Sequence, residues 1–142
     1  MDDHATHDTA ARLRRAVTRL NRRLRASALG GVSPAQASLL ASVDRLERPT
    51  LGELALAEQV SPPSVTRLVR AMEDAGLVAC TPDADDRRAT RVRLTPAGKR
   101  EIVTIRRRKT EFLEGALREL SGSDRRRAED LVAFLESLVD RS

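Results

Sequence analysis

Apolar residues recur at helical spacing along most of this chain, which predicts a mainly helical protein. In the segment Ala10–Ala28, one stripe contains Leu13, Val17, Leu20 and Leu24. This spacing places the four side chains on one face of an amphipathic helix and turns the intervening arginines away from it. Two consecutive glycines then follow, and we expect the helix to end there.

Capping signals predict where the next two helices begin. Ser33 precedes a proline, and Gln36 follows three positions later, so a second helix should begin here and reach about Leu46. Thr50 is followed three positions later by a glutamate, which predicts a short third helix that ends near Glu58.

A fourth helix is predicted to begin at Ser61, whose hydroxyl can cap it, and to end at Gly76. Its buried stripe is predicted to consist of Val65, Leu68, Val69 and Met72. About three residues separate the third helix from the fourth. A short helix, a tight turn and a second helix form the helix-turn-helix pattern.

The apolar period changes from helical spacing to two after Gly76. This pattern predicts strands at residues 77–80 and 91–94. The polar segment 81–88 between them is rich in turn formers, so we expect a β-hairpin with a long charged tip. This hairpin is the only sheet predicted. Thr95 then caps a long helix, and a final helix should follow Ser123. The apolar positions of the final helix are Leu131, Val132, Leu135, Leu138 and Val139.

The predicted fold class is therefore mainly α with a small β-hairpin wing, that is, a winged helix-turn-helix with helices before and after it. No repeat or linker interrupts the chain, so we predict a single domain over residues 1–142. The apolar stripes on the first, fifth and sixth helices exceed what the winged part could cover, which predicts an obligate homodimer.

Charge is distributed unevenly along the chain, although the formal net charge is only +5. Residues 12–25 contain seven arginines and no acidic residue, residues 29–86 contain nine acidic and four basic residues, and residues 87–109 contain ten basic residues and one glutamate. Two cationic segments flanking an acidic middle are typical of a nucleic-acid partner, although they can also be ordinary solvated helix faces. Phe112 and Phe134 are the only aromatic residues, so stacking platforms for single-stranded nucleic acid are missing.

Several other classes of function are disfavoured. No apolar run approaches the ~18 residues of a membrane span, and the acidic N-terminus has no secretory signal, so a cytoplasmic protein is expected. His4 and His7 lie in a polar segment that reads as a solvated arm, and with the lone Cys80 they form no zinc-type ligand set. We expect no metal, no cofactor and no enzymatic activity, because no nucleophile–base pair or glycine-rich phosphate loop is present. Cys80 reads as a packed thiol with no assigned role.

The exposed side of the fourth helix carries the chemistry expected of a DNA-reading helix. Outside the apolar stripe lie Ser64, Thr66, Arg67 and Arg70. Hydroxyl and guanidinium groups bind phosphates, and arginine also reads guanine in the major groove. The alternative is a surface helix with ordinary arginines.

At the hairpin tip, Asp86 and Arg88 are two residues apart and would point to the same side of an extended strand. The carboxylate could then orient the guanidinium for a narrow minor groove, which makes Asp86 a wing organiser, while Arg87 faces a phosphate. The alternative is that this segment, with Asp83 and Asp85, is an ordinary solvent-exposed turn with no role in binding. A calcium site is disfavoured because no bidentate glutamate follows at the required spacing.

Five segments together resemble the MarR family of winged helix-turn-helix transcription regulators. They are LGELA at 51–55, SVTRLV at 64–69, AGLV at 75–78, DRRA at 86–89 and VRLTPAG at 92–98. The resemblance implies a homodimer built from residues 10–29 and 96–140, with residues 33–95 as the DNA-binding part. It also implies repression at a near-palindromic operator on double-stranded DNA. The residues that it places at DNA are Pro62, Pro63, Ser64, Thr66, Arg67, Arg70, Arg87 and Arg88.

The family resemblance further implies relief of repression by a small anionic or phenolic effector between the dimer helices and the winged part. Asn21 and Arg23 flank the apolar stripe of the first helix on a helical wheel, and an arginine there could hold a carboxylate. Arg23 could equally extend to solvent, and the protein could have no ligand. A basic structural protein that binds nucleic acid without sequence preference is the alternative function.

Overall fold

The computed structural model describes residues 3–28 and 30–141, and its main elements are six helices and two strands. Leu29, where the predicted N-terminal dimerisation segment ends, lies outside the described residues. In chain order the elements are α1 (Asp3–Ala28), α2 (Pro34–Leu46), α3 (Leu51–Glu58), α4 (Pro62–Asp74), β1 (Val78–Pro82), β2 (Thr90–Leu94), α5 (Pro96–Arg118) and α6 (Gly122–Val139). The prediction of a mainly α fold with a β-hairpin wing is confirmed.

The capping boxes predicted for α2 and α3 are both present. The Ser33 hydroxyl accepts a hydrogen bond from the Gln36 backbone N–H at 3.2 Å, and Gln36 Oε1 accepts from the Ser33 N–H at 2.9 Å. Thr50 and Glu53 repeat this reciprocal pair at 3.1 and 2.9 Å. These bonds satisfy N–H groups that a helix leaves unpaired at its start, which fixes where α2 and α3 begin.

The first helix is longer than predicted, because α1 begins at Asp3 and not at Ala10. His4 and His7 are therefore exposed to solvent, as predicted, but they lie within a helix and not in an arm that precedes it. The acidic residue in the first turn interacts favourably with the partial positive charge at the N-terminus of the helix, and the alanines that follow are strong helix formers. This polar segment therefore extends the helix although it has no apolar stripe.

The junction between α4 and the hairpin has the geometry of a Schellman motif. Gly76 adopts a positive φ of 75°, its N–H donates to the Glu73 carbonyl, and the Leu77 N–H donates to the Met72 carbonyl at 3.0 Å. The Thr95 hydroxyl donates to the Gly76 carbonyl at 2.6 Å and accepts from a backbone N–H in the first turn of α5. One threonine thus joins the end of α4 to the start of α5.

The core is formed by the apolar faces of α2, α3 and α4 together with the hairpin and the first part of α5. Val65, Val69 and Met72 of the predicted α4 stripe are buried, and Leu68 is half-buried against them. The remaining buried apolar residues are Ala28, Val32, Leu39, Leu40, Val43, Leu54, Ala55, Val78, Val92, Leu94, Ile102 and Ile105. This packing holds the helix-turn-helix and the wing on one body.

The hairpin pairs β1 with β2 in antiparallel register, with Cys80 opposite Val92. A short additional contact lies beside it, because Thr50 forms an isolated bridge with Arg91 and the Val92 N–H donates to the Pro49 carbonyl at 2.8 Å. The loop before α3 therefore runs along the outer edge of β2. Within the described residues, the two-stranded hairpin is the only sheet, as predicted.

The chain divides into two compact units, one up to Lys109 and one from Thr110 onward. In the second unit, α6 begins at Gly122 and is capped by Ser121, whose hydroxyl accepts from the Asp124 N–H. The predicted start after Ser123 is therefore wrong, because Ser121 supplies the cap two residues earlier. No residue of α6 is buried within this single chain.

Candidate nucleic-acid interface

The turn between α3 and α4 has the short, closed geometry of a helix-turn-helix. Gln59 adopts a left-handed conformation with φ of 54°, its N–H donates to the Leu56 carbonyl, and the Val60 N–H donates to the Ala55 carbonyl. The Ser61 hydroxyl then caps α4, as predicted. The backbone N–H groups of Gln59 and Val60 are thus both bonded to carbonyl groups of α3. This bonding fixes the direction in which α4 leaves the turn.

The two faces of α4 differ in the way the sequence predicted. Its apolar stripe lies in the core, whereas Arg67 and Arg70 are exposed, as are Pro62 and Pro63 at its first turn. Because the opposite face is held by the core, the arginines project from a rigid support. An exposed guanidinium on such a helix can pair with a phosphate or with the edge of a guanine.

Ser64 and Thr66 are half-buried, and their hydroxyl groups already form local hydrogen bonds. The Ser64 hydroxyl lies 2.8 Å from the Ser61 hydroxyl, and the Thr66 hydroxyl donates to the Pro62 carbonyl at 2.9 Å. The Thr66 oxygen can still accept a hydrogen bond, although its proton is engaged. The two arginines are therefore the more available donors on this face.

The tip of the wing forms a turn, so the predicted geometry of Asp86 and Arg88 on one side of an extended strand is wrong. The Ala89 N–H donates to the Asp86 carbonyl at 2.9 Å, and Asp86 Oδ1 accepts from the Arg88 backbone N–H at 3.0 Å. The aspartate holds the backbone of Arg88, because an aspartate at the start of a turn readily accepts from the residue two positions later. Arg87 and Arg88 are both exposed at this turn.

Asp83 and Arg91 form an ion pair that the sequence analysis missed. Arg91 Nε donates to Asp83 Oδ2 at 2.5 Å, and Asp83 Oδ1 accepts from the N–H groups of Asp85 and Asp86 at 2.8 and 3.4 Å. The bond from Asp85, followed by that from Arg91, holds the pKa of Asp83 below its ordinary value. The only signal in the sequence was the position of Asp83 directly after a strand. An aspartate there can accept a hydrogen bond from the backbone N–H two residues later, as in a turn.

A cleft in the first unit contains one of the two predicted effector residues. Asn21 lines a cleft of about 140 Å³ together with Arg25, Pro34 and Lys109, whereas Arg23 is not among the lining residues. Arg25 follows Asn21 by four residues on α1, so both side chains lie on the helix face that borders this cleft. The cleft combines cationic groups with small apolar side chains.

Cys80 packs against the core from the hairpin. Burial, the hydrogen bond to Glu73 and the negative charge of that residue raise the pKa of the Cys80 thiol to about 11. Because the thiolate is the reactive form, this environment suits a packed and unreactive thiol. Among the described residues no group of histidine, cysteine and acidic side chains could hold a metal ion.

None of the helices in the described part of the chain combines the length and the apolar character of a membrane span.

The sequence is similar to known regulators over nearly its whole length. The model of the MarR family matches residues 32–90. An uncharacterized HTH-type transcriptional regulator of Mycobacterium bovis is 34% identical over 134 residues, which cover 94% of both chains.

Solved structures share the fold. The crystal structure of a protein described as a transcriptional regulator, from Pseudomonas aeruginosa, matches this one with a TM-score of 0.84 and 31% sequence identity. The match covers 98% of both chains. A mutant of S. aureus MepR, solved bound to an oligodeoxyribonucleotide, has a TM-score of 0.71 and 20% identity, with 92% of this chain and 97% of that chain covered.

Proposed function

This chain belongs to the MarR family of HTH-type transcriptional regulators, and from that premise we propose that it is a homodimeric repressor of a specific operator on double-stranded DNA. The observation that carries the proposal is the arrangement of α4, whose apolar face is buried while Arg67 and Arg70 project from the opposite side. A helix held in this way can enter the major groove without losing its own packing.

In this proposal α4 reads the major groove and the wing enters the neighbouring minor groove. Arg67 and Arg70 contact base edges or adjacent phosphates, and Pro62 and Pro63 bring the first turn of α4 close to the backbone. Ser64 and Thr66 contribute hydroxyl oxygens. Arg88 enters the minor groove at the wing tip, and Arg87 contacts a phosphate there.

We further propose that residues 10–28 of α1 and residues 96–140 associate across a two-fold axis, with residues 33–95 as the DNA-binding part of each subunit. The support is the apolar surface that one chain leaves exposed on α1 and α6. Two-fold symmetry would present two α4 helices to half-sites roughly 10 bp apart, which fits a near-palindromic operator. The regulator would act in the cytoplasm.

An effector site is proposed at the cleft lined by Asn21 and Arg25. Arg25 and Lys109 supply positive charge beside small apolar side chains, so a small aromatic acid has the complementary chemistry. Binding would release the operator and relieve repression. No cofactor or metal is needed for this function.

The decisive experiment compares two arginine variants on the same DNA. A duplex is first selected on the wild-type protein from a random-sequence library, and Arg67→Ala and Arg19→Ala are then titrated against it at fixed salt. Arg67→Ala should cost about 1–3 kcal/mol of binding free energy, because it removes one arginine contact to DNA. Arg19 lies exposed on α1 and serves as the matched control for loss of one positive charge.

Equal losses for the two variants would contradict the assignment of α4 as the recognition helix. If the wild-type protein binds unrelated duplexes with similar affinity, the protein is a basic nucleic-acid-binding protein without sequence preference and the operator proposal is wrong. Thermal melting of both variants confirms that each is folded at the temperature of the titration.

A further inference from the structure

Arg91 contacts three separate parts of the molecule through one guanidinium group. Its Nε donates to Asp83 Oδ2 at 2.5 Å, its Nη1 donates to the Arg48 carbonyl at 3.2 Å, and the same Nη1 lies 3.8 Å from Glu53 Oε2. Asp83 belongs to the wing, Arg48 to the loop between α2 and α3, and Glu53 to the first turn of α3.

Two of these three partners, Asp83 and Glu53, are themselves held by other hydrogen bonds. Asp83 accepts two backbone N–H groups of the wing, and its side chain is only 10% exposed. Glu53 closes the capping box of α3 by accepting from the Thr50 N–H at 2.9 Å. Arg48 has a positive φ of 62°, a conformation that is costly for a residue with a side chain. The guanidinium therefore ties the wing to the first turn of α3 and to the loop that precedes α3.

The base of the wing packs in the core through Val78, Val92 and Leu94, so the part of the two-stranded hairpin that needs a further tie is its tip. The bond from Val92 to the Pro49 carbonyl secures β2 near its middle, but the tip from Asp83 to Ala89 extends beyond it. Arg91 acts at the tip end of β2. A planar guanidinium with several fixed donors suits this task better than a single ammonium group.

Arg91 differs in this respect from Arg93 on the same strand. The two side chains are two residues apart on β2 and share its outer face, but Arg93 is more exposed and forms no ion pair with another described residue. The donors of Arg91 point at protein groups, and its side chain is 36% exposed. A role in holding the wing therefore fits Arg91 better than a direct contact with DNA.

We propose that Arg91 is a positioning residue for DNA binding, because it fixes the wing, and with it Arg88, at a set distance from the recognition helix α4. This inference rests on the proposed function, in which Arg88 enters the minor groove. Arg91 would then determine affinity without touching DNA.

The test is a double-mutant cycle on the duplex selected with the wild-type protein. Arg91→Met should weaken binding about tenfold, within the range for loss of one arginine–DNA contact. In the Arg88→Ala background, the same substitution should add less than about twofold, because the contact that Arg91 positions is already gone. Arg93→Met is the matched control, since it removes the same charge from the same strand face and should have the same effect in both backgrounds.

A milder variant separates positioning from loss of folding. Asp83→Asn keeps an oxygen for the Asp85 and Asp86 N–H groups and removes only the charge that holds Arg91, so it should weaken binding in the same direction. Arg91→Lys should recover part of the affinity. It restores one positive charge but not the separate N–H donors with which the guanidinium bonds Asp83 and the Arg48 carbonyl. Hydroxyl-radical footprints of Arg91→Met should lose the protection given by the wing and keep that given by α4.

Additive losses for Arg91→Met and Arg88→Ala would make Arg91 an independent DNA contact and overturn the inference. Loss of both footprint regions together with a lower melting temperature would make its role merely structural and also overturn it. Amide hydrogen exchange provides a readout without DNA: unchanged exchange at Asp85 and Asp86 in Arg91→Met would refute the inference. Failure of the wild-type protein to bind any duplex would refute the proposed function itself.

Discussion

At the scale of single residues, the three aspartates of the wing have different environments. Asp83 accepts two backbone N–H groups and the Arg91 guanidinium, whereas Asp86 accepts the Arg88 N–H. The Asp85 carboxylate accepts no hydrogen bond from another described residue, and Asp85 instead donates its backbone N–H to Asp83. Asp83 and Asp86 therefore both hold the tip by accepting backbone N–H groups, and Asp83 also pairs with the Arg91 guanidinium.

The wing should loosen in acid. The pKa of Asp83 is lowered in the folded protein, first by the Asp85 N–H and then by Arg91. A lowered folded pKa means that the contribution of this carboxylate is complete above its unfolded pKa, near pH 4, and is lost as the pH falls through the folded pKa. Protection of the Asp85 and Asp86 amides, measured as the intrinsic exchange rate at each pH divided by the observed rate, is expected to fall below about pH 4. The same protection in Asp83→Asn should change little with pH, and an identical acid response in that variant would contradict the assignment.

At the scale of elements, the turn at residues 86–89 requires an acceptor at Asp86 and not a negative charge. Asp86→Asn keeps an oxygen for the Arg88 N–H and removes a charge that repels DNA, so operator binding should be unchanged or stronger. Asp86→Ala removes the acceptor, and we expect weaker binding. Titration of both variants on the selected duplex measures this, and stronger binding by Asp86→Ala would mean that the aspartate is only a repelling surface charge.

The start of α5 depends on a close approach that only glycine permits. A Cβ atom at Gly98 would collide with the Leu77 carbonyl oxygen, which accepts a hydrogen bond from the Thr95 N–H at 3.1 Å. Gly98→Ala should therefore lower the free energy of unfolding by about 1–3 kcal/mol, since a packed core yields little to added volume. Gly115 lies in the same helix with open space around its Cα, so Gly115→Ala should raise the free energy of unfolding by about 0.5–1 kcal/mol. Urea denaturation of both variants checks the pair, and similar effects of the two would refute the close-contact explanation.

At the scale of the whole molecule, a single chain leaves large apolar side chains in water. On α1, Val17 and Leu20 are 48% and 44% exposed, and on α6, Phe134 and Val139 are 49% and 73% exposed. Exposed apolar side chains of this kind on each of the two helices are typical of an interface, and two copies of one chain bury them most simply as a symmetric dimer.

The dimer should therefore dissociate when a charge is placed on this surface. Sedimentation at about micromolar concentration is expected to give a dimer for the wild-type chain and a monomer for Leu20→Glu and for Phe134→Glu, because burial of an unpaired carboxylate is costly. Leu56→Glu is the control, since Leu56 is exposed on α3 in the DNA-binding part. A stable folded monomer of the wild-type chain would contradict the prediction.

The sequence by itself determined the elements and their order. Ser33, Thr50 and Ser61 fixed the starts of three helices because a cap involves groups only three residues apart. Periodicity separated the buried face of α4 from Arg67 and Arg70, and the change of period after Gly76 located the hairpin. The family was indicated separately, by the resemblance of five short segments between residues 51 and 98 to MarR-family sequences.

Only the tertiary structure decided which of several equivalent side chains pair over longer distances. Three aspartates stand near the wing tip, and locally Asp86 was as good a partner for an arginine as Asp83. Along α1, the helical wheel placed Arg23 beside the apolar stripe, but the cleft that α1 and α2 line contains Arg25. The contacts of Arg91 with Asp83, Arg48 and Glu53 join segments that meet only after folding. Such pairings have the same local energy as their alternatives, and packing of the core makes the choice between them.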